Sequence, residues 1–321
     1  MLRYEASRGS VIAGWHAELL HAVHALHDTG AVTAYSASHP RVMAKADLTE
    51  GLRTVDRPQP ADVWATGDAY EPYVGRWSRA VARQFLAWLD MPPGGRWLDV
   101  GCGTGALSET ILEVTHPSEV VGVDPSAGYV AYARSRVPDP RAHFQAGDAR
   151  ALPFSAEAFD GVVSGLVLNF VPDPAAAVAE MARVTRHSGT VAAYVWDYSG
   201  GMELMRRFWD AAVALDPAAR DLDEGWRFGA FCQPERLVGL FRDAGLLRVE
   251  TCAVDVPTLF RDFDDYWTPF LGGQGPAPGY AMALSEDRRA ALRDRIRADL
   301  PIAADGSIPL IARAWAVRGE R

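Results

Sequence analysis

The sequence has few of the residues and patterns that indicate a disulfide scaffold, a metal finger or a membrane protein. Only three cysteines occur in 321 residues, and Cys102, Cys232 and Cys252 are too scattered for a disulfide framework or a metal pattern. No apolar run reaches the roughly 18 residues that suggest a membrane-spanning helix. The N-terminal stretch 1–10 is not followed by an apolar run of the signal-peptide type, so we expect a cytoplasmic protein.

Basic charge is also scarce, and this bears on the kind of partner. Lysine and arginine number 32 against 41 acidic residues, which gives a net charge of −9. No Lys/Arg-rich run is present, so we expect no nucleic-acid partner, although an acidic total alone does not exclude a local basic cleft. His21, His24 and His27 recur every third residue and would drift around a helix, so we expect a solvated face and no metal site.

The chain divides into an N-terminal extension and one large domain. Residues 1–61 contain one amphipathic segment, with Trp15, Leu19, Val23 and Leu26 on one helical face. A proline-rich stretch, 57–60, then indicates a linker. We expect 1–61 to be partly helical or loosely ordered, and 62–321 to form the functional domain.

Short apolar runs alternate with amphipathic segments through most of this domain, which is typical of βα units around a parallel sheet. The patterns predict helices over 78–89, 105–114, 127–137, 174–185, 234–244 and 285–300, and strands over 96–100, 120–123, 142–146, 161–166, 190–196, 247–256 and 308–317. Two stretches rich in aromatic residues, glycine and proline, 198–232 and 258–284, fit no standard βα unit. They indicate insertions, which with the following helix extend over 198–232 and 258–306.

A glycine-rich loop between the first predicted strand and the next helix carries the strongest signal. It reads Leu-Asp-Val-Gly-Cys-Gly-Thr-Gly over 98–105. Gly101, Gly103 and Gly105 let the backbone turn sharply and approach a ligand, and the following helix points N–H groups at that ligand. Such a loop also occurs in dinucleotide-binding folds, and Ala106 would be tolerated there, so the loop alone leaves NAD open.

Three acidic residues at the ends of the first three strands favour a different ligand. Asp99 can face a cationic amino group, and Asp124 can accept hydrogen bonds from both ribose hydroxyls. Asp148 can accept from an adenine amino group, while the Ala149 N–H can donate to a ring nitrogen. A cation, a ribose and an adenine together describe S-adenosylmethionine.

These pieces resemble the class I S-adenosylmethionine-dependent methyltransferases, in particular the ubiquinone/menaquinone-biosynthesis (type 11) group. The matching stretches are 99–105, 121–124, 147–154, 159–160, 164–168 and 171–174. The resemblance implies an α/β, doubly wound, Rossmann-like sheet of seven mostly parallel strands with the last antiparallel, plus helical lid insertions. It also implies a cofactor site, whose expected members are Tyr73, Arg76, Asp99, Gly101, Cys102, Gly103, Thr104, Gly105, Asp124, Pro125, Ser126, Asp148, Ala149, Gly165 and Leu166.

The acceptor is much less defined than the cofactor. Asp197 and Tyr198 follow the fifth strand at the ligand-binding edge, so they are candidates for a base or a substrate anchor, or simply a polar pair that ends the strand. Aromatic insertions without a basic patch predict a small-molecule acceptor under a lid. A methyltransferase acting on a protein or nucleic acid, and a non-catalytic cofactor-binding module, stay open, and nothing in the sequence indicates the oligomeric state.

Overall fold

The computed structural model describes residues 75–273 and 275–321. The expected N-terminal extension, its histidines and Tyr73 lie outside the described residues. The first described helix, α1 (Arg76–Leu89), buries Val81, Phe85 and Leu86 on one face. It ends where Asp90 adopts a left-handed conformation with φ of 48°, a common way for a helix to terminate.

Strands and helices then alternate along the chain. Their bounds are β1 (Arg96–Val100), α2 (Ala106–Val114), β2 (Glu119–Asp124), α3 (Ala127–Arg136), β3 (Ala142–Ala146), β4 (Phe159–Gly165), α4 (Pro174–Val184), β5 (Thr185–Trp196), α5 (Glu203–Leu215), α6 (Glu224–Phe228), α7 (Pro234–Asp243), β6 (Leu247–Phe260), α8 (Phe263–Trp267), α9 (Pro276–Ala283), α10 (Glu286–Asp299) and β7 (Ile308–Glu320). Short 3₁₀ helices span Leu168–Phe170, Pro217–Leu222 and Thr268–Gly272.

The seven strands form one sheet in the order β3-β2-β1-β4-β5-β7-β6. The pairs β3-β2, β2-β1, β1-β4 and β4-β5 are parallel, whereas β7 runs antiparallel to both β5 and β6. The doubly wound, mostly parallel fold with an antiparallel last strand is therefore confirmed. The strand order reverses between β1 and β4, and ligands in such sheets bind beyond the carboxyl ends of the strands at this point.

The interior of the sheet is apolar because its strands are covered on both faces. Trp97, Leu98, Val162, Val191 and Val195 are fully buried, and such continuous hydrophobic strands are typical of parallel sheets. The helix N-termini are fixed locally as well. Ser126 accepts a hydrogen bond from the Tyr129 N–H, and Asp173 accepts one from the Ala176 N–H, so two helices begin at side-chain caps.

Five strands (β2, β4, β5, β6 and β7) are longer than their sequence patterns predict, and β5 and β6 are extended the most. β5 begins at Thr185 rather than 190, since Thr185 pairs with Phe159 across an irregularity in the β4–β5 register. β6 continues to Phe260, which pairs with Ile308 of β7. The insertion expected from 258 therefore begins only after this strand. Along the described residues, every helix is too short or too polar to cross a lipid bilayer.

A helical cap is formed by the described residues of 198–232 and 261–306. Its centre is aromatic: Phe208 stacks on Phe270 with ring centroids 4.5 Å apart, and both rings are fully buried. The two parts of the cap are joined by the Tyr266 hydroxyl, which donates to the Leu204 carbonyl over 2.9 Å. The aromatic insertions thus build a small core of their own.

Candidate active site

A cavity of about 550 Å³ opens at the carboxyl ends of β1, β2, β4 and β5 and extends beneath the cap. The strand ends and their loops supply the carboxylates of Asp99, Asp124 and Asp148. Phe170, Trp196, Tyr198, Met205, Glu224 and Pro276 also line the cavity. One continuous space therefore joins the predicted cofactor residues to the aromatic residues of the cap and of the loops after β4 and β5.

The glycine-rich loop is held against β2 by its backbone. The N–H groups of Gly101 and Cys102 donate to the Val123 carbonyl over 2.7 and 3.0 Å. Gly101 has φ of +78°, and a Cβ placed there would lie 2.5 Å from a Val167 methyl group. Only glycine fits this position without strain, so the loop can pass close to a ligand in the cavity.

The buried carboxyl of Asp99 is an unusual feature of the cavity floor. One oxygen accepts a hydrogen bond from the Ser108 hydroxyl over 2.7 Å, while Oδ1 is buried and has no hydrogen-bond partner. Burial raises the pKa of Asp99 to about 7. An unpaired buried oxygen is costly, and a cationic amino group in the cavity would satisfy it.

Asp124 connects the glycine-rich loop to the next helix. Its two oxygens accept hydrogen bonds from the N–H groups of Gly103, over 3.0 Å, and Ser126, over 2.9 Å. Burial raises the pKa of Asp124 above its ordinary value, and these hydrogen bonds oppose the rise. Each oxygen keeps a second lone pair, so the carboxylate can still accept from ribose hydroxyls. Thr104, Pro125 and Ser126 line the cavity beside it.

Asp148 and Ala149 lie at the outer end of the cavity after β3. The Asp148 carboxylate is half-exposed and pairs with Arg150, with an N–O distance of 2.6 Å. Hydrogen bonds from this guanidinium lower the pKa of Asp148 to about 2. Arg150 also lines the cavity, a position that the motif analysis did not include. The carboxylate is therefore charged and its orientation is fixed by its neighbour.

Gly165 and Leu166 form the wall beyond β4. A Cβ on Gly165 would lie 2.6 Å from the Tyr194 hydroxyl, so this position admits only glycine. The Leu166 N–H donates to the Tyr194 carbonyl over 2.8 Å, and Leu166 has φ of 63°. A left-handed leucine is uncommon, and here it turns the chain across the cavity mouth.

Arg76 is one predicted cofactor residue that the structure places elsewhere. Its guanidinium contacts Asp265 at 3.1 Å and stacks over the rings of Trp77 and Phe260, at 4.5 and 4.6 Å. Arg76 does not line the cavity. The partner lies 189 residues away in sequence, so in this structure Arg76 joins α1 to the cap and lies away from the residues that line the cavity.

The structure separates the two candidates for a base or substrate anchor. The Asp197 carboxylate accepts the Gly201 N–H over 2.9 Å and thereby closes a tight loop, and Asp197 does not line the cavity. Tyr198 does line it, and its ring lies 5.8 Å from that of Phe228. Of these two candidates, the geometry therefore places Asp197 in the loop and Tyr198 at the cavity wall, where it can touch an acceptor.

Glu224 is a cavity residue that sequence reasoning missed. It is the first residue of α6, is 2% exposed and lines the cavity. The Trp209 indole N–H donates to its carboxyl, and burial raises the pKa of Glu224 to about 7. One usable signal was present, Asp223 as an N-cap, which marks a helix start but not the burial of the next residue.

The cysteines and the described histidines add no separate site. Burial raises the pKa of Cys102 well above its ordinary value, so the thiol packs in the loop as an uncharged group. Within 75–273 and 275–321, no group of three or more histidine, cysteine or acidic residues is arranged to hold a metal ion.

Comparisons with known proteins agree with this site. Residues 98–193 match the model of a family described as a methyltransferase domain. A 2-methyl-6-phytyl-1,4-hydroquinone methyltransferase from Synechocystis is 31% identical over 188 residues, or 58% of this chain and 57% of that protein. A 2-phytyl-1,4-naphtoquinone methyltransferase from Thermosynechococcus vestitus is 33% identical over 176 residues, or 51% of this chain and 77% of that protein.

A solved structure shows the same fold at low identity. Phosphoethanolamine N-methyltransferase 2 from Haemonchus contortus, in complex with S-adenosyl-L-methionine, superposes with a TM-score of 0.51 at 19% identity. The match covers 83% of this chain and 58% of that one. The chain thus spans little more than half the length of the first curated relative and of this structure.

Proposed function

Because the chain belongs to the class I S-adenosylmethionine-dependent methyltransferases of the ubiquinone/menaquinone type, we propose that it methylates a small aromatic acceptor that carries hydroxyl groups. The observation that supports this most strongly is the cavity itself. One space of about 550 Å³ joins the strand-end carboxylates to the aromatic residues Phe170, Trp196 and Tyr198. Cofactor and acceptor can therefore meet without a large rearrangement.

The residues of the strand ends fit S-adenosylmethionine. The unpartnered Asp99 Oδ1 suits the cationic amino group, and the backbone of Gly101 and Gly103 lines the cavity where the methionine part would lie. Asp124 would hold the ribose, and Asp148 with Ala149 the adenine. When bound, S-adenosylmethionine supplies a methyl group attached to a positively charged sulfur. This sulfur is the leaving group, and it becomes a neutral thioether.

The acceptor end supports a planar, largely apolar substrate. Phe170 lies 5.2 Å from Phe228, and Tyr198 lies 5.8 Å from the same ring. Flat aromatic surfaces with few polar groups are typical of small-molecule pockets. The names of two relatives specify a phytyl hydroquinone and a phytyl naphthoquinone, which agrees with a hydroxylated ring as acceptor.

In-line methyl transfer needs alignment and exclusion of water more than it needs a strong catalyst. Here the cap supplies the exclusion, since α5, α6 and α9 contribute Met205, Glu224 and Pro276 to the cavity wall. The strand-end loops supply the alignment. The net charge of −9 and the absence of a basic run support a protein without a nucleic-acid partner, and the few scattered cysteines support a cytoplasmic location.

The test is a calorimetric titration of the full chain with S-adenosylmethionine, alongside NADH and an Asp124→Ala variant. We expect binding of S-adenosylmethionine, no binding of NADH, and at least ~100-fold weaker binding in the variant, because ribose hydrogen bonds and the hold on Gly103 are both lost.

Turnover is then measured by mass spectrometry with 2-methyl-1,4-hydroquinone under anaerobic conditions. Methylated product supports the proposed acceptor class. Tight cofactor binding without product from this or related ring acceptors would instead indicate a binding module or a macromolecular substrate. Binding of NADH in place of S-adenosylmethionine would overturn the assignment of the cofactor.

A further inference from the structure

Glu224 is a buried acid at the acceptor end of the cavity, away from the carboxylates of the strand ends. Its neighbour Gly225 packs against the Tyr198 carbonyl, where an added Cβ would lie 2.7 Å from the oxygen. Phe228, at the end of the same helix, contacts both Phe170 and Tyr198. α6 therefore places Glu224 among the aromatic residues that would surround an acceptor.

Among the described residues, no ion pair accounts for the burial of Glu224. The guanidinium of Arg206 is taken by the preceding residue, Asp223, at 2.7 Å. The Trp209 indole N–H donates to Glu224, but an indole needs only a neutral acceptor. A buried carboxylate without a cation is costly, so a glutamine would serve the fold at least as well.

The charges around Glu224 leave it able to change protonation near neutral pH. Asp223, on the same helix end, raises the pKa by repulsion, and Arg227, one turn along α6, lowers it. Arg206, from α5, faces Asp223. The indole of Trp209 approaches Glu224 from α5, and the Tyr198 carbonyl, just after β5, lies beside Gly225. Burial dominates these effects and raises the pKa to about 7, which suits a general base at physiological pH.

Glu224 is also the residue that remains when the other acidic and imidazole groups near the cavity are considered as bases for the acceptor. Asp99, Asp124 and Asp148 lie at the strand ends, where they face the cofactor. Asp197 is outside the cavity wall, and none of the histidines in the described part of the chain lines it. Glu224 is thus the one acidic or imidazole side chain among the described residues that lines the acceptor end.

We propose that Glu224 is a catalytic residue that accepts the hydroxyl proton of the aromatic acceptor, a role that rests on the proposed function. The acceptor O–H bond breaks and the proton passes to the carboxylate. The electron pair left on oxygen then forms the new bond to the methyl carbon, either directly or through the ring carbon beside the oxygen. At the same time the carbon–sulfur bond breaks, and its electron pair stays on sulfur. If carbon is methylated, the ring hydrogen then leaves as a proton to solvent and the ring regains its aromaticity.

The test compares full-length Glu224→Gln with the wild type and with Asp221→Asn. Asp221 is an exposed carboxylate three residues away that does not line the cavity, so it controls for loss of a negative charge nearby. Turnover of 2-methyl-1,4-hydroquinone, binding of S-adenosylmethionine by calorimetry, and thermal stability at pH 8 are measured for all three proteins.

We expect Glu224→Gln to lower kcat by ~10²–10⁴-fold while cofactor affinity stays within about twofold. The wild-type kcat should rise tenfold per pH unit below pH 7 and level off above it. The glutamine variant should lose this acid limb, and Asp221→Asn should keep it. Thermal stability of Glu224→Gln at pH 8 should not fall, because a buried charge has been removed.

The outcomes separate this proposal from the function on which it rests. A Glu224→Gln protein that is folded, binds cofactor and keeps both turnover and the acid limb would overturn the role of Glu224 and leave the methyltransferase assignment intact. A wild-type chain that does not bind S-adenosylmethionine would overturn the assignment first. If Glu224→Gln is unfolded at pH 8, the residue is structural and the proposal is wrong.

Discussion

The strand-end half of the cavity and the cap half are built in different ways. At the strand ends, ligand-binding positions are set by backbone groups: Gly101, Gly103 and Ser126 are fixed through N–H hydrogen bonds to a neighbouring carbonyl or to Asp124. In the cap, positions are set by side chains from distant segments, such as the stack of Phe208 on Phe270. Chemistry common to a family can thus rest on backbone geometry, while the acceptor site depends on side-chain packing.

The largest expected effect is on the stability of the cap. Phe208 is fully buried and packs against Trp209, Phe270 and Tyr280, so Phe208→Ala should cost about 3–5 kcal/mol through lost burial and a cavity. Urea denaturation measures the loss, and Leu215→Ala, at an exposed position of the same helix, is the control.

This variant also tests how independent the two halves are. We expect the affinity of Phe208→Ala for S-adenosylmethionine, measured below the unfolding transition, to stay within about threefold of wild type, since Phe208 does not line the cavity and sites without shared partners act nearly additively. If the free energy of cofactor binding fell by as much as the free energy of unfolding, the cap and the strand ends would form one cooperative site.

A medium effect is expected from Asp99 as the pH changes. Its pKa is about 7 in the free protein, and a cationic amino group requires the charged carboxylate. Cofactor binding should therefore weaken as pH falls, by about tenfold between pH 8 and pH 6. At pH 6, binding of the cofactor should also release protons from the protein. Calorimetry in two buffers of different ionisation enthalpy measures both quantities. A pH-independent affinity, or the same slope in Asp99→Asn, would contradict this role.

The smallest effect is expected at Asp148. The carboxylate is 46% exposed and already paired with Arg150, so it contributes little to stability, and its hydrogen bond to adenine forms in competition with water. Asp148→Ala should weaken cofactor binding less than tenfold. Asp139→Ala is a matched control, because Asp139 forms the same contact with Arg141 two residues on and does not line the cavity. A loss of cofactor affinity as large as that of Asp124→Ala would place the adenine contact among the main determinants of that affinity.

The same contrast explains what could be predicted from the sequence. Strands β1 and β3 match their predicted bounds, and the positions of Asp99, Asp124 and Asp148 follow from where strands end, because these are local relationships. The contact of Arg76 with Asp265 could not be predicted, since it spans 189 residues. The role of Glu224 depends on Trp209, Tyr198 and Phe228, which meet only when the cap folds, and no periodic pattern marks that meeting.

Strand β7 follows β6 in the chain, yet it lies between β5 and β6 in the sheet. During synthesis, the ladder edges of β5 and β6 therefore stay open until residues 308–320 have left the ribosome. Unpaired strand edges are sites of non-native pairing between chains. The stage in which these strand edges are exposed thus ends only when β7 has been made. Overproduction should therefore benefit from conditions that protect the nascent chain until then.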